Sequence, residues 1–241
     1  MKLCFIDTET TGLSAWKNGI IQVAGSIWID GNKKELFSFE CKPFPQDEIH
    51  PKALEANGLS HEQIMSYGDP TKAVNEMVDM LNEHIDRYNK DDKFLFIGYN
   101  AKFDFDFVKN WMKKGEFDYF GSYFYWPPLD VLQAVAWKYR NDREHIEDYK
   151  QVTVAKFLGI EVEEEKLHEA NYDVEICEKI YYHLEGDIED PVKFSPKVKV
   201  TDEQADELRE IIKESASNDE FKKGFEKLEK SGTEIKDEIP F

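Results

Sequence analysis

Cysteine is scarce in this chain: Cys4, Cys41 and Cys177 are odd in number and lie in no paired spacing. Such a pattern indicates neither a disulfide framework nor a zinc site, and a reducing, cytoplasmic setting is expected. No apolar run approaches the roughly 20 residues that span a bilayer, and no basic segment leads into an apolar one at the N-terminus. Export and membrane insertion are not expected. Positive charge is also short. With 50 acidic against 31 basic side chains the formal net charge is −19, which argues against broad electrostatic wrapping of a polyanion such as duplex DNA. Any nucleic-acid contact is expected to be small and local. The acidity is not a tail property: residues 187–241 hold 16 acids and 10 bases, a net of −6, leaving −13 for the first 186. There is no internal repeat.

What is present suffices for one full-sized domain with an appendage, since 41% of the 241 residues are hydrophobic. Runs rich in β-branched and aromatic residues predict strands at Leu3–Thr10, Ile20–Ile29 and Leu36–Cys41, with turn-forming Gly31 and Asn32 before the third. A loop containing Pro43, Pro45 and Pro51 is expected next. Ser60 with Gln63 forms a capping box for a short helix, and Asp69–Pro70 open a longer one carrying Ala73, Val74, Met77, Val78, Leu81 and Ile85 at helical spacing. FLFIGYN reads as a buried strand. Helices follow in AKFDFDFVKNWMKKG, WPPLDVLQAVAWKY (after a strand end), VTVAKFLG and NYDVEICEKIYYHL. Strands first and helices between later strands predict an α/β fold, a mixed sheet covered by helices. The expected domain covers residues 1–186. A linker at 187–200, two short helices at 201–230 and an acidic tail at 231–241 are expected beyond it.

Two carboxylates interrupt the first strand. Successive strand side chains alternate faces, so Asp7 and Glu9 point the same way from its end. Adjacent carboxylates repel, and a hard divalent cation with oxygen ligands removes the conflict. Taken alone they also fit two solvated acids. Further acids stand in GYNAKFDFDF, where Asp104 lies at a strand-to-helix junction among phenylalanines, and in KLHEANYDVEICEKI, where His168 precedes a helix bearing Asp173 in its first turns. Asp106 reads as a polar helix position, Asp130 as a helix cap, and the other histidines as surface or capping residues.

D-T-E-T-T-G-L at Asp7–Leu13, N-A-K-F-D at Asn100–Asp104 and H-E-A-N-Y-D at His168–Asp173 resemble the three motifs of the DEDDh family of 3′–5′ exonucleases. That family includes the proofreading subunit of bacterial DNA polymerase III, ribonuclease T and oligoribonuclease. The resemblance covers roughly residues 1–186 and implies a ribonuclease H-like fold, whose second strand runs antiparallel to the rest. It implies two Mg²⁺ or Mn²⁺ ions held by Asp7, Glu9, Asp104 and Asp173, with His168 as general base. It also implies that Thr10, Thr11 and Leu13 meet the substrate's 3′ end, with Tyr99, Asn100 and Phe103 as further contacts. Two departures stand out: Tyr99 replaces the histidine that many relatives carry, and Gln22 stands where an acid is frequent.

The chain closes with KDEIPF, which resembles the acidic C-terminal tip of bacterial single-stranded DNA-binding proteins. An apolar Phe241 beside Asp237 and Glu238 suits terminal-carboxylate capture by a basic, apolar pocket. Ile239, Pro240 and Phe241 are thus expected to bind the proteins that recognise such tips. The expected activity is metal-dependent removal of nucleotides from single-stranded or frayed DNA 3′ ends in replication, repair or recombination. An exoribonuclease of the ribonuclease T or oligoribonuclease type is the alternative, because no residue settles recognition of the 2′-hydroxyl. A non-catalytic recruitment module working through the tail is a third reading, against which the retention of all five motif residues argues.

Overall fold

Strand β1 (Lys2–Thr10) is the middle strand of the sheet, and its two faces feed two separate cores. The structure is a computed structural model in which residues 1–166 and 170–186 are described. Cys4 and Ile6 enter one core and Leu3 and Phe5 the other, as strand alternation requires. β1 pairs antiparallel with β2 (Ile20–Ile29), and β2 pairs antiparallel with β3 (Asn32–Glu40). On its other side β1 is parallel to β4 (Leu95–Gly98), which is parallel to the short β5 (Leu129–Asp130). The order β3-β2-β1-β4-β5 therefore makes the expected mixed sheet, with only β2 reversed.

Helices α1 (Pro51–Asn57), α2 (His61–Ser66) and α3 (Pro70–Asn82) follow β3, and α4 (Ala101–Lys114) follows β4. Met77 and Leu81 of α3 pack with Phe105, Val108 and Trp111 of α4 in the Cys4/Ile6 core. α5 (Val131–Lys138), α6 (Gln151–Phe157) and α7 (Ala170–Gly186) supply Val131, Val154, Ile176 and Ile180 to the Leu3/Phe5 core. The helix starts obey local chemistry. Asp69 caps α3 by accepting from Thr71 N and Lys72 N, and Ser60 and Gln63 close the expected capping box on α2.

Two local expectations are corrected. The third strand begins at Asn32, not Leu36, because the turn is Asp30–Gly31, with φ of 49° and 77°. An Asp-Gly pair at positive φ matches the twist of a two-residue hairpin, which frees Asn32 to pair with Ile29. The proline-containing loop is also shorter than expected. Pro51 opens α1, since a first-turn proline loses no intrahelical bond, and Gly58 ends it at φ 66°. Among the described residues no helix is long and apolar enough to cross a membrane, and all three cysteines are free and buried. The linker, the two short helices and the tail expected after residue 186 lie outside the described residues, as do 167–169.

A buried charge anchors α7 to the sheet. Glu178, 4% exposed, accepts from Trp28 Nε1 at 3.0 Å and Lys33 Nζ at 2.8 Å, and from the Ser26 hydroxyl. Removing the carboxylate leaves buried donors without an acceptor, so Glu178→Ala is expected to cost about 2–4 kcal/mol. Chemical denaturation measures this, and a variant as stable as the parent would contradict the anchoring role.

Candidate active site

The far end of β1 carries the acids. Asp7 and Glu9 share the face of Leu3 and Phe5, against which α7 packs, and α7 brings Asp173 in its first turn. One oxygen from each of Asp7, Glu9 and Asp173 lies within 4.8 Å of the others. Thr8 faces the opposite way, toward α4, and its hydroxyl donates to Asp104 Oδ1 at 2.7 Å. A β-bulge falls at this point, where the register slips between Glu9, opposite Gln22, and Thr10, opposite Ile20. Bulges bend a strand and re-aim its side chains, here just where the acids must converge.

Gathering four carboxylates has an electrostatic cost that is visible in their protonation. Burial, then the charges of Asp104, Asp173 and Glu9, pushes the Asp7 carboxyl well above the usual carboxylate range. Burial pushes Asp104 up to about 7, although the Thr8 hydrogen bond favours its ionised form. The donor set is all oxygen, which suits a hard divalent cation, and such an ion would take the place of the protons these groups otherwise hold. The residues present therefore fit a metal site.

The loop after the acids is rigid and presents an apolar tip. Thr11 is fully buried; its hydroxyl donates to Glu48 O and accepts from Gly19 N, both at 2.8 Å, so that group builds the loop. Thr10 donates to Gly12 O at 2.8 Å. Asn18 ties Ser14 N and Glu48 O together, and a Cβ on Gly12 would lie 2.4 Å from the Asn18 side chain, so only glycine fits there. Beneath the loop the buried Asp47 pairs with Lys114, which also reaches Asn18 O at 3.2 Å. Leu13 projects from this frame at 89% exposure. It lines a groove of about 490 Å³ with Lys17, Glu48, His50 and Lys52.

The second motif is arranged around β4. Asn100 adopts φ 66°, and its N–H donates to Asp130 Oδ1 at 3.1 Å, while the same oxygen caps α5 through Leu132 N. Asp130 is thus a cap, as expected. Phe103 stacks on Phe107 at 4.7 Å between ring centres, and Asp106 pairs with Lys102 on the helix surface. Tyr99 donates to the main-chain oxygen of Tyr149 at 2.7 Å, and burial raises its pKa, keeping it a donor. His50 caps α1, in line with its expected role. His84 departs from a surface reading: its side chain is mostly buried, 3.8 Å from Glu35. His168, Ile239, Pro240 and Phe241 lie outside the described residues. Thr8 and Gln151, which donates to Asp173 O at 2.5 Å, were not foreseen. Alternation placed Thr8 on the other face, but its partner is 96 residues away.

The acidic cluster stands at the end of the central strand of a mixed sheet of ribonuclease H-like type. The family model described as Exonuclease, of RNase T type, matches residues 4–181, and the chain belongs to that family. The 3′-5′ DNA exonuclease Cap18 of Escherichia coli is 31% identical over 104 residues, which are 43% of this chain and 52% of that protein. Ribonuclease T of Baumannia cicadellinicola subsp. Homalodisca coagulata is 26% identical over 114 residues, covering 43% of this chain and 50% of that protein. The aligned region thus spans about half the length of these curated relatives. Among solved structures, the zinc-bound E. coli ExoI–ssDNA complex superposes with a TM-score of 0.62 at 19% identity, over 77% of this chain and 40% of that one. E. coli exonuclease I with a dT13 oligonucleotide gives 0.59 at 19% identity, over 76% and 40%. At that identity the likeness shows the shared fold.

A pH dependence follows from the cage. The Asp104 carboxyl, raised from 3.8 to about 7, keeps a proton that the unfolded chain releases, so metal-free stability falls as pH rises across that window. A divalent cation held by the ionised carboxylates would reverse the loss. The thermal midpoint of metal-free protein is expected to be lower at about pH 8 than at about pH 5, with Mn²⁺ raising it more at the higher pH. An equal Mn²⁺ effect at both would contradict the coupling.

Proposed function

We propose that this chain is a metal-dependent 3′–5′ exonuclease that removes nucleotides from single-stranded or frayed DNA 3′ ends. The observation that carries the reading is the convergence of Asp7, Glu9 and Asp173 within 4.8 Å, beside a buried Asp104 held by Thr8. Two Mg²⁺ or Mn²⁺ ions, held by these four carboxylates, would supply charge neutralisation at the attacking and leaving oxygens of an in-line phosphoryl displacement. The remaining steps belong to the protein. Thr8 fixes the Asp104 carboxylate, and α7, anchored through Glu178, delivers Asp173. Leu13 stands fixed and exposed at the groove mouth, where an apolar side chain can press on the last base. Lys17 and Lys52 give that groove local positive charge for a phosphate backbone. His168 takes the proton of the attacking water as general base.

Similarity to ribonuclease T supports a second reading with the same chemistry on RNA. The two part on one experiment: 5′-labelled DNA and RNA oligonucleotides incubated with Mg²⁺, Mn²⁺ or a chelator. Stepwise shortening of DNA with a divalent ion is expected, and preferential loss of RNA would favour the second reading. Asp7→Ala is expected to abolish turnover, while His168→Ala keeps metal binding and slows hydrolysis about 10²–10⁴-fold. Normal hydrolysis by Asp7→Ala would refute the site. The sequence of the terminal KDEIPF supports a role for the tail in engaging proteins that bind the tip of single-stranded DNA-binding proteins, in replication, repair or recombination in the cytoplasm. Deleting Ile239–Phe241 is expected to remove that binding without reducing hydrolysis of short oligonucleotides, and retained binding would sink the assignment.

A further inference from the structure

Two of the four acids arrive on helices, and β1 alone cannot set the spacing between α4, which carries Asp104, and α7, which carries Asp173. A hydrogen-bonded run joins the two. Tyr99, the residue after β4 and five before Asp104, donates to Tyr149 O at 2.7 Å. Two residues further along the segment that Tyr149 begins, the Gln151 amide donates to Asp173 O at 2.5 Å. All four residues line one cavity of about 890 Å³ that opens beside the acids, together with Asn100 and Lys150. Its size suits an occupant larger than water, so packing alone does not hold these walls at a fixed separation.

We infer that Tyr99, the 149–151 segment and Gln151 form a strut across this cavity, and that Tyr99 and Gln151 are positioning residues that set where Asp173 stands relative to Asp104. This inference rests on the metal-site reading proposed above. It gives the departure at Tyr99 a physical reason. A phenol reaches across to a main-chain carbonyl and offers a single donor, and burial keeps that donor protonated. Gln151 is neutral, so it orients the helix turn bearing Asp173 without adding a counter-charge that would compete with a cation. Neither side chain is expected to touch the ion.

The test is direct Mn²⁺ binding to the full-length chain, followed by calorimetric titration and by the electron paramagnetic resonance signal of the ion, for Tyr99→Phe, Gln151→Ala and the double variant. Groups that orient metal ligands typically change affinity by about 10- to 100-fold. Each single variant is expected to bind Mn²⁺ about 10-fold more weakly. Because the two act through one strut, the double variant should lose little more than the worse single one. Unchanged Mn²⁺ affinity in both singles, whatever happens to the thermal midpoint, would overturn the strut. So would independent, multiplying losses in the double variant. Failure of the underlying reading looks different: the unsubstituted protein would show no specific Mn²⁺ binding, or Asp7→Ala would bind Mn²⁺ as tightly as the unsubstituted protein, and both proposals would fall together.

Discussion

Like charge held close is the constraint on which the structure turns. Four carboxylates are brought to the end of one strand, and burial, with their mutual repulsion, raises two of them above the usual carboxylate range. Left alone such a cluster would push itself apart. Each acid is therefore delivered by a separately anchored element: β1 through its central place in the sheet, α4 through the core shared by Phe105 and Trp111, and α7 through Glu178. The fold does not reduce the repulsion; it resists it and leaves a position that a hard cation suits.

The same economy governs the surroundings. A net charge of −19 argues against broad electrostatic wrapping of a polyanion. The groove that Leu13 lines with Lys17 and Lys52 is small, and the loop that forms its edge is held by Thr11, Asn18 and the Asp47–Lys114 pair. Leu13 stands exposed on a loop whose backbone is tied by these hydrogen bonds. Recognition of a chain end, which needs only a few nucleotides, is compatible with that distribution of charge.

Much of this was legible in the residues themselves. Two-residue periodicity put Asp7 and Glu9 on one face, and the sheet keeps them there; the Ser60–Gln63 capping box and the Asp130 cap rest on chemistry confined to a few neighbours. What was not legible was relational. Thr8 and Gln151 look like ordinary polar positions until Asp104 and Asp173 are brought to them across 96 and 22 residues. The start of β3 and helix α1 were misplaced for a different reason. The turn was set at Gly31–Asn32, one residue beyond the Asp30–Gly31 pair that makes it, and Pro51 was weighed as a breaker where, at a helix start, it is tolerated.

The most direct measurement is a crystal structure of the full chain soaked with Mn²⁺, with anomalous scattering used to place the ion. The account predicts Mn²⁺ density between the carboxylates of Asp7, Glu9 and Asp173, with oxygen ligands at octahedral spacing. Mn²⁺ bound elsewhere while this cluster stays empty at saturating ion would contradict it.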